Sequence, residues 1–184
     1  VVGVDTAIGS DEMVYTVLDN TAKPYRLVWE EAIKGNIRSP QMHLNSLCNL
    51  IDVYREGNNI EVLMETWNGE SARFYEDLPP YIKTFTHCYG AWQPSKVRTD
   101  NDNPITSKTA QVKKADLIVT LKKVLADKNI KIPKRNQNLI RQLSIYKEDD
   151  KKIPTDRVIA LALATWLAED GAKVKLPVFQ TVEW

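Results

Sequence analysis

Three acidic residues stand where short apolar runs end or begin. Asp5 closes Val1-Val2-Gly3-Val4, and Glu65 closes Ile60-Glu61-Val62-Leu63-Met64. Asp156 opens a mostly apolar helical pattern that continues through Val158, Ile159, Leu161, Leu163 and Trp166. A carboxylate at the end of a core strand is costly to bury alone, so it calls for a cation or hydrogen-bond donors opposite it. Three hard oxygen donors with neither His nor Cys among them suit Mg²⁺ or Mn²⁺ rather than zinc. Two such ions roughly 3.5–4 Å apart can activate a water and stabilise the leaving oxygen in phosphodiester hydrolysis. Acids so close repel one another and raise their own pKa values unless cations are present, which makes metal binding pH-dependent. Each acid also has a plainer reading. Asp156 could be only a first-turn helix acid, and Asp5 a turn residue accepting from local backbone donors. Glu65 follows Val62-Leu63-Met64 without an obvious charge partner nearby in sequence, and is the hardest to dismiss.

The elements that must position these acids can be read along the chain. A Gly/Ser/Asp cluster after Asp5 leads into Met13-Val14-Tyr15-Thr16-Val17-Leu18, the pattern of a hairpin. Tyr25 to Ile33 reads as a third strand between Pro24 and Gly35. Ser39-Pro40 then caps a helix in which Leu44, Leu47, Cys48, Leu50, Ile51 and Tyr54 keep helical spacing until Gly57. Ile60 to Glu65 is a fourth strand, Ser71 to Leu78 a short helix ended by Pro79-Pro80, and Tyr81 to Cys88 a fifth strand. A long aperiodic connection runs from Tyr89 to Ser107. Lys108 to Asp127 reads as an amphipathic helix, with Leu117, Ile118, Leu121 and Val124 inward and lysines outward. Ile130 to Pro133 is a brief strand or turn, Asn136 to Tyr146 a helix, and Lys147 to Lys152 a charged turn. Pro154-Thr155-Asp156-Arg157 starts the last helix.

This element order is that of a ribonuclease H-like α/β fold. Three antiparallel strands come first, and parallel strands follow through helical crossovers to give a mixed sheet flanked by helices. Parallel neighbours place their C-terminal ends on one edge, where open α/β sheets bind ligands. Asp5 and Glu65 are therefore expected to face one cleft. Asp156 is expected to join them near the positive end of its helix dipole.

Composition bounds the class. The 184 residues read as a single domain spanning 1–184, and 43% hydrophobic with 27% charged residues suits a soluble globular core. No apolar run approaches the roughly 18 residues that span a bilayer, and no signal-peptide pattern occurs, so no membrane partner is expected. The chain opens on a strand-forming valine without an initiator Met and reads as cut at a domain boundary. Cys48 and Cys88 lack CxxC spacing and read as free thiols in a reducing compartment. A net charge of +1 hides an asymmetry: acids dominate Asp11 to Glu76, while Lys and Arg crowd Lys96 to Lys152. That pattern suits a polyanion approaching from one side, or simply a solvated helical face. Lys108, Lys113, Lys114, Lys134, Arg135 and Arg141 are the candidates for phosphate contacts, which position DNA without reading sequence. Trp67 and Trp92 could stack on bases or pack internally, and His43 and His87 read as structural.

Taken together, these stretches resemble the nuclease domain of the large terminase subunit of tailed phages and related viruses, over most of the chain. Gly3-Val4-Asp5-Thr6-Ala7 with Ser10-Asp11 looks like the family's opening strand motif. Val62-Leu63-Met64-Glu65-Thr66-Trp67-Asn68-Gly69 is similar to its second motif, an acid followed by an Asn-rich turn. Thr155-Asp156-Arg157-Val158-Ile159-Ala160-Leu161-Ala162-Leu163-Ala164 is similar to the third, an aspartate opening an alanine- and leucine-rich helix. Ser107-Lys108, Ile130-Lys131-Ile132-Pro133 and Leu139-Ile140-Arg141-Gln142-Leu143 resemble the intervening segment. No single motif is specific; their order and spacing carry the resemblance.

The resemblance implies a metal-dependent endonuclease that cuts concatemeric double-stranded DNA with little sequence preference. Asp5, Glu65 and Asp156 would hold two Mg²⁺ or Mn²⁺ ions, with Asp11 as an accessory ligand and Lys108 near the cleft. It also implies a terminase ATPase domain in a longer chain, a small terminase subunit and portal as partners, and action in the host cell cytoplasm. Many members carry a histidine and a second acid just before the last motif, where this chain has Pro154 and Thr155, so no fourth ligand is implied there. The stretch from Ser144 to Pro154 is short, and no GxxxxGK[ST] phosphate loop occurs. Two rivals stay open. One is another nuclease of this fold, such as a Holliday-junction resolvase or a ribonuclease H; the other is a non-catalytic nucleic-acid-binding or assembly module.

Overall fold

The computed structural model describes residues 1–6, 12–34, 40–55, 60–66, 69–89, 114–147 and 154–170. Their elements, in order, are β1 Val2–Asp5, β2 Glu12–Asp19, β3 Tyr25–Lys34, α1 Pro40–Arg55, β4 Val62–Glu65, α2 Gly69–Glu76, α3 Pro80–Lys83 and β5 Thr86–Tyr89. After these come α4 Lys114–Ala126, β6 Ile130–Lys131, α5 Gln137–Ile145 and α6 Asp156–Asp170. The six strands form one mixed sheet in the order β5-β4-β1-β2-β3-β6. β2 pairs antiparallel with β1 and β3, whereas β1–β4, β4–β5 and β3–β6 are parallel pairs. The chain is thus an α/β protein whose antiparallel strands come first and whose parallel strands follow.

Alternation along the strands divides the core in two. Val2, Val4, Met13, Tyr15, Val17, Val62 and Met64 face α1, whose Leu44, Leu47, Leu50 and Ile51 cover them. Leu18, Leu27 and Leu63 face the other way, toward Leu117, Ile118 and Leu121 of α4, Leu139 of α5 and the apolar body of α6. Every residue from Val158 to Thr165 is buried. A helix apolar on all sides must be enclosed on all sides. α6 meets that demand by lying against β1, β2 and β4 with α4 and α5 beside it. Its one polar intruder, Thr165, donates its hydroxyl to the Leu161 carbonyl at 2.7 Å.

One expectation needs correction. The stretch from Tyr81 to Cys88 is not one strand. Proline at the first helical position presets a short helix, α3, which buries Ile82, and only Thr86–Tyr89 joins the sheet. Of the strand or turn expected from Ile130, the structure has the strand: Ile130–Lys131 pairs in parallel with Tyr25 and Arg26 at the end of the strand order. The helix expected from Lys108 is described only from Lys114. The long connection before it, the charged turn from Lys147 to Lys152 after its first residue, and the tail from Gly171 lie outside the described residues.

Candidate active site

The register of β1 against β4 sets the first pair of acids. Val2 lies opposite Val62, Gly3 opposite Leu63 and Val4 opposite Met64, so Asp5 and Glu65 end neighbouring parallel strands side by side. Gly3 and Leu63 belong to the α6 face of the sheet, and a period of two puts Asp5 and Glu65 on that face as well. Thr6 ties the two strand ends together, its hydroxyl donating to the Glu65 carbonyl at 3.0 Å.

Helix α6 brings the third acid. A Cβ built on Gly3 would fall 2.0 Å from the Ala160 carbonyl oxygen, so backbone meets backbone at this crossing. From there Asp5 is two strand residues onward, about 6.6 Å, and Asp156 is four helix residues back, about 6 Å. The helix therefore runs against β1, and its first turn arrives over the carboxyl end of the strand. The backbone N–H of Glu12 donates to Asp156 Oδ2 at 3.3 Å and fixes this carboxylate to the start of β2.

The electrostatics show that the three acids sense one another. Asp5 is buried, 7% exposed. Its carboxyl is held well above the usual carboxylate range, first by loss of water, then by a hydrogen bond to Glu65 and by the charges of Glu65 and Asp156. Burial, the hydrogen bond and the two neighbouring charges all favour the neutral form of Asp5 over its carboxylate. Lys114, at the start of α4, is the cation that pulls in the opposite direction.

No group of three or more His, Cys, Asp or Glu among the described residues stands ready-made as a metal cage. The donor set nonetheless fits a hard divalent cation. It is all oxygen, and it already resists carrying its own negative charge. Asp5, Glu65 and Asp156 would hold such a cation, whose charge would offset the repulsion among them.

Asp5, Glu65 and Asp156 are thus brought together, and Lys114 joins them. Lys134, Arg135 and Arg141 are exposed on the turn before α5 and on α5 itself, and Arg135 Nη2 donates to the Val28 carbonyl at 3.4 Å. Asp11, Lys108, Lys113, Trp67 and Trp92 lie outside the described residues. His43 and His87 are buried, and burial pushes the His87 imidazole below its usual value.

Sequence reading missed a second polar cluster beside the acids. Arg157, the residue after Asp156, puts Nη1 2.5 Å from Glu30 Oε1 and Nε 3.3 Å from Glu12 Oε2. Asn136 Nδ2 donates to the other Glu30 oxygen at 2.7 Å, and the Arg157 backbone N–H donates to Gln142 Oε1 at 3.1 Å. A signal existed in Trp29-Glu30-Glu31, two acids inside a strand, of which period two must turn one toward the helices. No protein-family model matches the chain, and neither does any curated protein.

Proposed function

We propose that this chain is a ribonuclease H-like, metal-dependent endonuclease domain of the terminase large-subunit kind, acting on double-stranded DNA. The supporting observation is the meeting of Asp5, Glu65 and Asp156 at the carboxyl edge of the parallel pair β1–β4, with the Asp5 carboxyl pushed above its usual range by burial and by the other two acids. A polar cluster that stores like charge at a sheet edge is poised for a cationic ligand. No helix of the described residues is long and apolar enough to cross a membrane.

In this reading Asp5, Glu65 and Asp156 bind one or two Mg²⁺ or Mn²⁺ ions, with Asp11 as an accessory ligand. When bound, the ions supply Lewis acidity that activates a water and neutralises the leaving 3′ oxygen. The chain's own part is positional. Asp5 and Glu65 are set by strand register, Asp156 by the Gly3–Ala160 contact, and Thr6 and the Glu12 amide keep strand ends and helix turn from drifting apart. Lys114, with Lys108, Lys113, Lys134, Arg135 and Arg141, would hold the phosphate backbone without reading bases. The ATPase domain, small subunit and portal would then be partners of a longer protein in the host cytoplasm.

The test is nicking and linearisation of supercoiled plasmid with Mn²⁺, Mg²⁺ or EDTA, for the parent and for Glu65→Ala. Cutting should need metal and vanish in the variant. Cutting that survives Glu65→Ala puts the active site elsewhere, and no cutting under any metal favours a binding module. Four-way junction and RNA–DNA hybrid substrates separate the other nucleases of this fold.

A further inference from the structure

The cluster around Arg157 poses a physical problem. A guanidinium is always charged, and its five donors match carboxylates in a fork. Arg157 follows Asp156 directly in the first turn of α6, beside the sheet edge where Asp5, Glu65 and Asp156 meet. Left to itself, such a cation would pair with those acids and stand where a metal ion belongs. The structure gives it other partners. Its Nη1 meets Glu30, whose side chain is only 2% exposed, and its Nε meets Glu12.

Glu30 is itself held in place. It projects from β3 onto the α6 face, opposite Thr16 in the register, and Asn136 at the start of α5 grips its second oxygen. Glu12 stands between the two systems. Its backbone N–H donates to Asp156, while its carboxylate takes Arg157. One residue therefore holds the acid on one side and the base on the other.

We propose that Glu30, assisted by Glu12, withholds the Arg157 cation from Asp5, Glu65 and Asp156, so that the three acids stay open to a divalent metal. Glu30 and Glu12 are positioning residues in this scheme; they touch no metal. The inference rests on the metal-site reading above and extends it to residues outside the acid cluster.

Mn²⁺ binding to the full chain, measured by titration calorimetry at neutral pH with no DNA present, tests this. The parent and Asp5→Asn come first. If the parent takes up no Mn²⁺, or Asp5→Asn binds it equally well, the metal-site reading falls and this inference falls with it. If binding depends on Asp5, the effect of Glu30→Gln decides the inference alone. Freeing a unit charge beside the acids should weaken Mn²⁺ binding about tenfold or more. The double variant Glu30→Gln/Arg157→Gln has no cation to release and should return to within about threefold of the parent. A merely structural role predicts no such recovery, because the double variant lacks the ion pair as well. Parent-like binding by Glu30→Gln, or a double variant as weak as the single, overturns the proposal. Should circular dichroism show Glu30→Gln unfolded, Glu12→Gln replaces it. Glu12 is 29% exposed and its loss is easier to tolerate. It should weaken binding about threefold, since one of the two partners of Arg157 remains; unchanged affinity overturns the proposal equally.

Discussion

Gly3 and Ala160 touch through their backbones: a methyl group on Gly3 would lie 2.0 Å from the Ala160 carbonyl oxygen and 2.6 Å from the Ala164 amide nitrogen. This contact fixes how closely the buried helix approaches the central strand. Asp5 and Asp156 hang from the same two elements at the same end of the crossing, so their separation follows from it. A side chain that is absent thereby places two that are present.

Gly3→Ala should accordingly damage both stability and site. The clashing atoms belong to helix backbone and cannot swing aside, so α6 must lift from β1. We expect a loss of about 3 kcal/mol or more in urea unfolding, at the upper end for overpacked cores. Divalent metal binding should fall with it, since Asp156 moves with the helix. A stable Gly3→Ala variant with parental Mn²⁺ affinity would contradict this geometry.

Asp5→Asn should act in the opposite direction on stability. Asn keeps the shape of the protonated carboxyl and removes a group that burial and two neighbouring acids make costly to ionise. In EDTA near neutral pH the variant should be more stable by about 1 kcal/mol, as is common when strained functional sites are relieved. Added Mn²⁺ should stabilise the parent by about 2.7 kcal/mol at a hundredfold excess over its dissociation constant, and the variant hardly at all. Urea titrations with and without metal measure both effects.

The same carboxyl sets a pH dependence. Its folded-state pKa lies above its unfolded value, so the folded chain binds the extra proton more tightly. The stability this contributes is complete below the unfolded value and is lost as pH rises through the folded value. In EDTA the melting temperature should therefore decline from mildly acidic pH upward, and Asp5→Asn should flatten that decline. Mg²⁺ should raise the melting temperature more at alkaline than at acidic pH, because it competes with this proton. Equal metal stabilisation at both ends of the range would sink the coupling.

Much of this architecture was legible in the residues because it rests on local rules. Strands β1 to β4 announce themselves by alternation and turn residues, α1 by its Ser39-Pro40 start, and α6 by an apolar run too long for a strand. Register then follows, which is why Asp5 and Glu65 were expected side by side. What escaped depended on contacts distant in sequence. The residues of β6 allow a strand or a turn, and only its pairing with Tyr25 and Arg26 decides for the strand. Pro79-Pro80 reads as a helix terminator but also opens α3, since proline suits the first turn of a helix. Glu30 and Arg157 lie 127 residues apart, and each alone looks like an ordinary surface charge.

Lys114 is the basic residue whose placement invites a separate measurement. It is exposed at the start of α4, yet its charge reaches Asp5 and opposes the rise in that carboxyl's pKa. Lys114→Gln should change unfolding stability by no more than about 0.5 kcal/mol, as exposed substitutions do. It should nevertheless push the Asp5 carboxyl further up, which carboxyl chemical shifts across a pH titration would show. If Lys114 also meets a DNA phosphate, the variant should weaken duplex binding evenly across sequences and lower the slope of log affinity against log salt by about 1. Arg141→Gln, on α5, provides the comparison: the same change in salt slope with no movement of the Asp5 titration. A Lys114 variant that shifts Asp5 but leaves the salt slope intact would confine this lysine to tuning the acids and move the phosphate track to other residues.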